Sequence, residues 1–525
     1  MIPFIPGSMS DRPTFSISTA IPYANGAPHI GHAYELIATD AIGRFKALDG
    51  FDTLVMTGMD EHGQKMRQTA ARRGITPQAL ADETAAQFEA MTATIGAHVD
   101  ERVRTTQARH KIAAQTIWTR MREAGDIYLD TYAGWYSVRD EAYFAEDELT
   151  IEPDGTKRAP GGAPVEWVEE ESYYFRLSAY AERLLAHYAA QPDFIVPEKY
   201  RNEIVAFVQR GLNDLSISRS TFDWGIPVPD DDRHVMYVWV DALTNYLTGT
   251  GWPDPQAPNA RFWPMDVHMI GKDITRFHCI FWPAFLMSAG LPLPRQVVVH
   301  GFLFNKGEKM SKSVGNVITP ASLADTYGTD QIRYFFLREV PFGSDGNYTH
   351  EGIVNRTNAD LANDLGNLAQ RSLSMIAKNC EGRAPEPGEL TEADRAVLAD
   401  ARALPGIVRE HMDKFAIHQA LAAIWKVVAD ANRYFAGEEP WAKKKTDPAR
   451  MATVLLVTAE VVRIVAILAQ PFMPDAMTKM LDGLAIAPED RTIAAIGHDF
   501  GLKPGHALPP PTPVFPRFVE KEVEA

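Results

Sequence analysis

The chain has 525 residues, 46% of them hydrophobic, and a formal net charge of −16. That length calls for about two to four domains with full cores, and the acidic balance excludes a body coated by nucleic acid, so such a partner must meet a local basic surface. No run of about eighteen apolar residues exists to span a membrane, the first ten residues lack the zones of a signal peptide, and only two cysteines, Cys279 and Cys380, exclude a disulfide framework and point to a reducing, cytoplasmic setting.

Phe15 to Ala20 reads as a short buried strand, β-branched, aromatic and uncharged. Pro22, Asn25, Gly26 and Pro28 then break the chain. From Gly31 the pattern is helical, with Ile37, Ala41, Phe45 and Leu48 on one face. His29-Ile30-Gly31-His32 therefore sits at a helix N-terminus, where backbone N–H groups and the helix dipole favour phosphate. For histidines taken alone in such a place, satisfied caps are the plainer reading. Metal ligation lacks a Cys, Glu or further His at a fitting spacing. Asp52 to Met59 reads as a second strand, which leaves Asp60 at a strand's carboxyl end. Thr76-Pro77 starts a helix whose face carries Leu80, Thr84, Phe88, Met91 and Ile95. Another helix fits Thr106 to Ala124.

From Asp126 to about Trp224 the texture changes. Ile127 to Ser137 and Glu141 to Leu149 read as aromatic strands, and helices fit Ser178 to Ala190 and Glu198 to Gln209. The strand–helix alternation resumes with strands expected at Val235–Val240, Val267–Ile270 and Gln296–Phe304. Alternating β and α with candidate ligand residues at strand ends predicts a parallel, doubly wound sheet split by an inserted α+β unit. After Thr319 the pattern is helical, with Leu361, Leu365, Leu368 and Ile376 in one stripe and helices over Glu392–Met412, Ile417–Phe435 and Ala449–Ala469. Gly437 and Pro471 mark turns of an antiparallel bundle, and Pro509 to Pro513 makes an extended tail.

A second stretch bears on the histidines. Gly307-Glu308-Lys309-Met310-Ser311-Lys312-Ser313 puts two lysines in a glycine-bounded loop about 280 residues later. Taken with His29-Ile30-Gly31-His32, it resembles the two signature motifs of class I aminoacyl-tRNA synthetases. Ile21-Pro22-Tyr23-Ala24-Asn25-Gly26, Tyr237-Val238-Trp239-Val240-Asp241-Ala242-Leu243 through Tyr246, and Ile270-Gly271-Lys272-Asp273-Ile274 with Phe277, His278 and Trp282 are similar to the pocket segments of methionyl-tRNA synthetases. The likeness runs nearly the whole length from Phe15. Leu243 and Asn245 differ from that family's commonest letters.

The resemblance implies a Rossmann-like catalytic sheet in two halves (1–125 and 226–300) around a connective insert (126–225). A lysine-loop link (301–350) and a helical anticodon-binding domain with a Pro-rich tail (351–525) would follow. It gives Tyr23, Trp239, Ala242, Leu243, Tyr246, Ile274 and His278 to the methionine side chain, and Asp60 with the main chain of Ile21 to the ammonium. Aromatic rings suit a thioether and a carboxylate suits an ammonium; Tyr23 and His278 could also donate to sulfur. His29, Gly31, His32, Gly271, Asp273, Lys309 and Lys312 would bind ATP, a substrate that comes with Mg²⁺, and His29, His32, Lys309 and Lys312 would be catalytic. Asn367, Arg371 and Trp441 resemble the family's anticodon reader, within a pattern that includes Asn432-Arg433-Tyr434. They would recognise methionine tRNA, initiator and elongator alike. The matching insert of relatives often carries zinc on cysteine pairs. This one has no cysteine, so no structural zinc is expected, and Trp135, Tyr136 and Tyr143 would fill that space with apolar packing. A monomer is expected. A synthetase for leucine, isoleucine or valine would need a far larger insert, and a nucleotidyltransferase would not need the helical bundle. A non-catalytic tRNA-binding protein would not need all four signature His and Lys residues.

Overall fold

The strand Thr14–Thr19 (β1) is the axis of the structure, a computed structural model that describes residues 12–140, 142–305, 308–309 and 318–520, with backbone only at 132, 170, 305, 308 and 309. The chain leaves β1 through the helix Ile30–Leu48 (α1) to the strand Asp52–Met59 (β2), then through the helices Gln64–Arg73 (α2) and Pro77–Thr94 (α3) to the strand Glu101–Arg104 (β3). It returns to the other side of β1 only at Val267–Gly271, which pairs parallel with it and with Gln296–His300. The sheet order is β3–β2–β1–(Val267–Gly271)–(Gln296–His300)–(Ile195–Val196), parallel throughout. The order reverses between β1 and Val267–Gly271, and the crevice beyond their carboxyl ends is where such sheets bind ligands.

Several expected elements differ. β3, α2 and the strand Glu166–Phe175 were not legible. The last is the long partner of Ile127–Ser137 in an antiparallel sheet completed by Ala142–Phe144 and Leu215–Ser216. Glu141–Leu149 is a strand only over Ala142–Phe144, then a 3₁₀ turn at Glu146–Glu148. Gln296–Phe304 is two strands, the second (Leu303–Asn305) in a separate small sheet. Val235–Val240 is not one strand. Asp231–Met236 is a strand of a small antiparallel sheet, and Val238–Leu243 is helical. In a strand Trp239 and Asp241 would share a face; in a helix they diverge by about 200°, and tertiary placement of these two side chains overrides the β propensity of Val-Trp-Val. Ile195–Val196, inside the 126–225 stretch, belongs to the central sheet, although Leu215–Ser216 then returns to the antiparallel sheet of the insert.

Around Tyr136 and Tyr143 the packing is not purely apolar. The Arg219 guanidinium lies 4.2 Å from the centroid of the Tyr143 ring and 4.8 Å from that of Tyr237, and Trp135 donates its indole N–H to Glu146. A buried cation among π faces takes the place of a greasy plug.

The helical region is built on Pro448–Ala469. Among the described residues it alone is apolar and long enough to cross a membrane, with a mean hydropathy of 2.2, yet 94% of that window is buried inside the protein. A helix apolar all round is a core helix. Glu392–Asp413, Ile417–Glu438, Asn367–Asn379 and Pro474–Gly483 pack around it. Its one internal ion pair, Glu460–Arg463, is buried, and Glu460 also accepts the backbone N–H groups of Gly501 and Leu502, which pins the tail. Gly437 lies within a helix; the turn comes at Glu439, held at a left-handed φ of 45°.

One arginine joins the sheet to the helices. Arg333, fully buried on Thr329–Glu339, donates to Asp40 on α1 (2.6 Å), to the carbonyl ending α3 at Ile95 (3.1 Å), and to the carbonyls of Pro471 (2.9 Å) and Phe472 (3.0 Å). Arg333→Met should lower stability by about 3–5 kcal/mol, because it leaves Asp40 a buried carboxylate held by the partly exposed Arg44 and one backbone N–H, that of His98. Denaturant unfolding followed by tryptophan fluorescence reads this; coincident curves for the two proteins would mean the junction is held elsewhere.

Candidate functional site

A cavity of about 630 Å³ opens at the crevice. Its walls include Ile21, Tyr23, His29, Gly31, His32, Asp60, Trp239, Gly271, Asp273 and Ile274, ten of the residues expected from the sequence. One end is the start of α1. His29 is its N-cap, and its Nδ1 accepts the N–H of Gly31 (3.1 Å), while Nδ1 of His32 accepts the N–H of His29 (3.3 Å). The two rings stack at 3.8 Å. With Nδ1 accepting in both, each neutral ring carries its proton on Nε2. The histidines thus cap the helix, as the plainer of the two readings expects. Gly31 is required for this, since a Cβ there would lie 2.9 Å from Cε1 of His29.

The middle of the cavity is the loop after β1 zipped to the end of β2. Asp60 donates its N–H to Pro22 and accepts from the N–H of Ala24 (2.9 and 2.8 Å). Gly58 permits the approach, because a Cβ would come 2.2 Å from the carbonyl oxygen of Val103 and 2.8 Å from Cγ2 of Ile21. The buried Asp60 carboxylate and the half-buried Tyr23 ring therefore sit on a loop fixed by backbone bonds.

The far wall is aromatic. Trp239 stacks on Phe277 at 3.7 Å and meets the His278 ring edge-on at 6.0 Å. Ala242, Leu243, Tyr246 and His278 do not line the cavity; they are buried in the core. His278 lies in a π-helical turn, Phe277–Phe281, a local widening that often marks functional sites. Its Nδ1–H donates to the Ile274 carbonyl (3.0 Å) and its Nε2 accepts from the Tyr246 hydroxyl (2.7 Å). Burial pushes its pKa down to about 4. Both nitrogens are engaged, so the expected hydrogen bond from His278 to sulfur has no donor. Trp282 is core: fully buried, it donates to His268, which stacks under Tyr246 at 3.9 Å.

Glu35 and His300 line the same cavity and were not singled out from the sequence. Glu35 accepts the N–H of Ala20 (2.9 Å) and faces Nε2 of His300 (3.0 Å), whose Nδ1 faces the Gly301 carbonyl. Burial opposes charge on His300, but Glu35 and that carbonyl outweigh it and raise its pKa. A Glu six residues after His29 on the inner face of a helix was the available signal.

Lys309 has only its backbone described, in a strand paired with Leu303–Asn305; Lys312 lies outside the described residues. Among the described residues, no group of three or more His, Cys, Asp or Glu side chains converges as a metal site would require.

A separate cluster lies on the helical region. The exposed residues Asn367 and Arg371 occupy one face of Asn367–Asn379. The Arg371 guanidinium sits 5.3 Å from the centroid of the Trp441 ring, which is 45% exposed. Asn432 and Tyr434 are internal instead, bonded to the Asp364 carbonyl and to Asp394.

Residues 15–373 match the family described as tRNA synthetases class I (M), and residues 384–525 match the anticodon binding domain of methionyl tRNA ligase. The methionine–tRNA ligase of Rhizobium meliloti (strain 1021) is 61% identical over 515 residues, 98% of this chain and 100% of that protein. That of Mesorhizobium japonicum is 61% identical over 510 residues, 97% of this chain and 99% of that one. The Mycobacterium tuberculosis methionyl-tRNA synthetase in complex with methionyl-adenylate superposes with a TM-score of 0.94 at 57% identity, covering 96% of this chain and 100% of that chain. With two matched domains, near-complete coverage and a crevice of this make-up, the chain belongs to the class I methionyl-tRNA synthetases.

Proposed function

We propose that the chain joins L-methionine to the terminal ribose of methionine tRNA through an enzyme-bound methionyl-adenylate. The observation that carries this reading is a single cavity with an anion-seeking helix start at one end and, across a fixed carboxylate, an aromatic wall at the other. A methionine carboxylate oxygen attacks the α-phosphorus of ATP, the bond to the β-phosphate oxygen breaks, and pyrophosphate leaves. The 2′-hydroxyl of the tRNA then attacks the activated carbonyl and AMP departs. No protein nucleophile is needed; positioning and charge stabilisation do the work.

Asp60 with the main chain of Ile21 pairs with the ammonium. Tyr23, Trp239 and Ile274 flank the thioether, backed by Ala242, Leu243, Tyr246 and His278. Nε2–H groups of His29 and His32 hold phosphate oxygens, Gly31 keeps that approach close, and Gly271 and Asp273 take the ribose. Lys309 and Lys312 follow the charge that builds on pyrophosphate. The His29–His32 wall is made of donors, so Mg²⁺ would ride on the ATP phosphates as part of the substrate.

Asn367 and Arg371 read base edges and Trp441 stacks an unstacked anticodon base. A reader of the anticodon serves initiator and elongator methionine tRNAs alike. The apolar hub helix is covered by the chain's own helices and asks for no second copy, which supports a monomer; the low cysteine count supports the cytoplasm.

Methionine-dependent ATP–pyrophosphate exchange tests the reading, and exchange driven equally by other amino acids would overturn it. Lys309→Ala and Lys312→Ala should each cut kcat far more than they raise the methionine KM, by about 2.7–4 kcal/mol of transition-state stabilisation; near-normal kcat in both would remove the lysines from the mechanism. Trp441→Ala should leave exchange intact while tRNA charging loses about 1–3 kcal/mol in kcat/KM. A joint fall of the two activities would make Trp441 a folding residue. Elemental analysis after dialysis against a chelator should find no stoichiometric zinc, since the insert has no thiolates; one retained zinc per chain would contradict this.

A further inference from the structure

Two residues beyond Asp60, His62 turns away from the cavity into the core. Its Nδ1 lies 2.6 Å from Oδ2 of Asp241, which is fully buried, and Nε2 of His110 lies 2.8 Å from the other carboxylate oxygen. His110, also fully buried, is on the helix Ala108–Glu123, and its Nδ1 meets Thr248 Oγ1 at 2.9 Å. The carboxylate only accepts, so both histidines donate to it. Burial alone would raise the Asp241 pKa, but the two imidazoles outweigh it and hold it down to about 2. One ionised carboxylate thus ties together the 60–63 loop, the helix after β3, and the turn Val238–Leu243 that carries Trp239 and Ala242.

The loop is clamped from its outer side too. Trp224 packs edge-on against His62 at 5.5 Å and donates its indole N–H to the Glu61 carbonyl (2.6 Å). Arg104 and Thr106 hold the Glu61 carboxylate. These contacts keep the loop on its strand; the Asp241 cluster connects it to the aromatic wall through side-chain hydrogen bonds that cross the core.

We propose that Asp241, through His62 and His110, is a positioning residue that sets the span between the ammonium-binding carboxylate and the aromatic wall, and so makes the enzyme selective for side-chain length. This rests on the assignment of the amino-acid site given above. Asp60 and Trp239 stand on separate segments that no backbone hydrogen bond joins directly among the described residues, and a span left loose would admit longer side chains. A shift of a fraction of an ångström matters here because binding and near-attack geometry both depend on it.

Asp241→Asn leaves the volume unchanged but places an amide N–H against one imidazole N–H. In pyrophosphate exchange it should raise the methionine KM by about 10- to 100-fold with the ATP KM unchanged. The preference for methionine over ethionine, one methylene longer, should fall at the same time. His62→Leu should do the same. His62→Asn, whose amide N–H stands where Nδ1–H stood, should recover most of the wild-type KM, and it reads the proposal independently should Asp241→Asn not fold. An unchanged methionine KM and ethionine ratio in folded His62→Leu would overturn the proposal, as would methionine and ATP KM values rising together. Asp60→Ala separates the two levels: if it leaves the methionine KM unchanged, the site assignment fails; if it raises that KM while the His62 variants do not, the positioning role alone fails.

Discussion

The pairing of β1 with Val267–Gly271 is the constraint on which everything else hangs. The two strands are about 250 residues apart, yet they are neighbours in one parallel sheet and are sewn together by more than their ladder. Asp266 accepts the N–H of Ser16, Ser18 meets His268 at 2.8 Å, and Ala20 donates to Met269. Because the chain departs from β1 to one side and comes back on the other, no connection crosses the crevice between their ends. The zipped loop and the helix start reach that opening on the one connection that leaves β1, and the aromatic turn reaches it from a separate excursion far along the chain.

Polar groups placed where they can move no further are the recurring device of the site. His29 and His32 have their inner nitrogens fixed by backbone N–H groups, and His278 has both of its nitrogens occupied. Asp60 is fixed through its backbone. On the proposed assignment, a reacting triphosphate and an amino acid would meet dipoles already oriented, with little reorganisation left to perform as charge develops.

Much of this was legible in the sequence, and the boundary is physical. Strands buried on both faces (β1, β2) and helices with a full apolar stripe (α1, α3, the three long bundle helices) declare themselves by period and punctuation. β3, with the sequence Glu-Arg-Val-Arg, is an edge strand with one buried residue, so no apolar run announces it. Val238–Val240 reads as the end of a strand because its helical form is imposed by where Trp239 and Asp241 must go. The cavity residues were readable where a motif carried them. Glu35, His300 and the pair of histidines on Asp241 were not, since their partners lie far along the chain and only the fold brings them together.

The tail pinned on Glu460 and the carbonyls at Pro471 and Phe472 that receive Arg333 have a consequence for the order of synthesis. The sheet leaves the ribosome first, yet Arg333 on its flank finds two of its acceptors only after some 138 further residues have been made. Until then a buried-to-be guanidinium and the apolar faces around it stay open to water. The nascent chain must hold a nearly finished crevice in an unsealed body until the segment that carries Pro471 and Phe472 has been made.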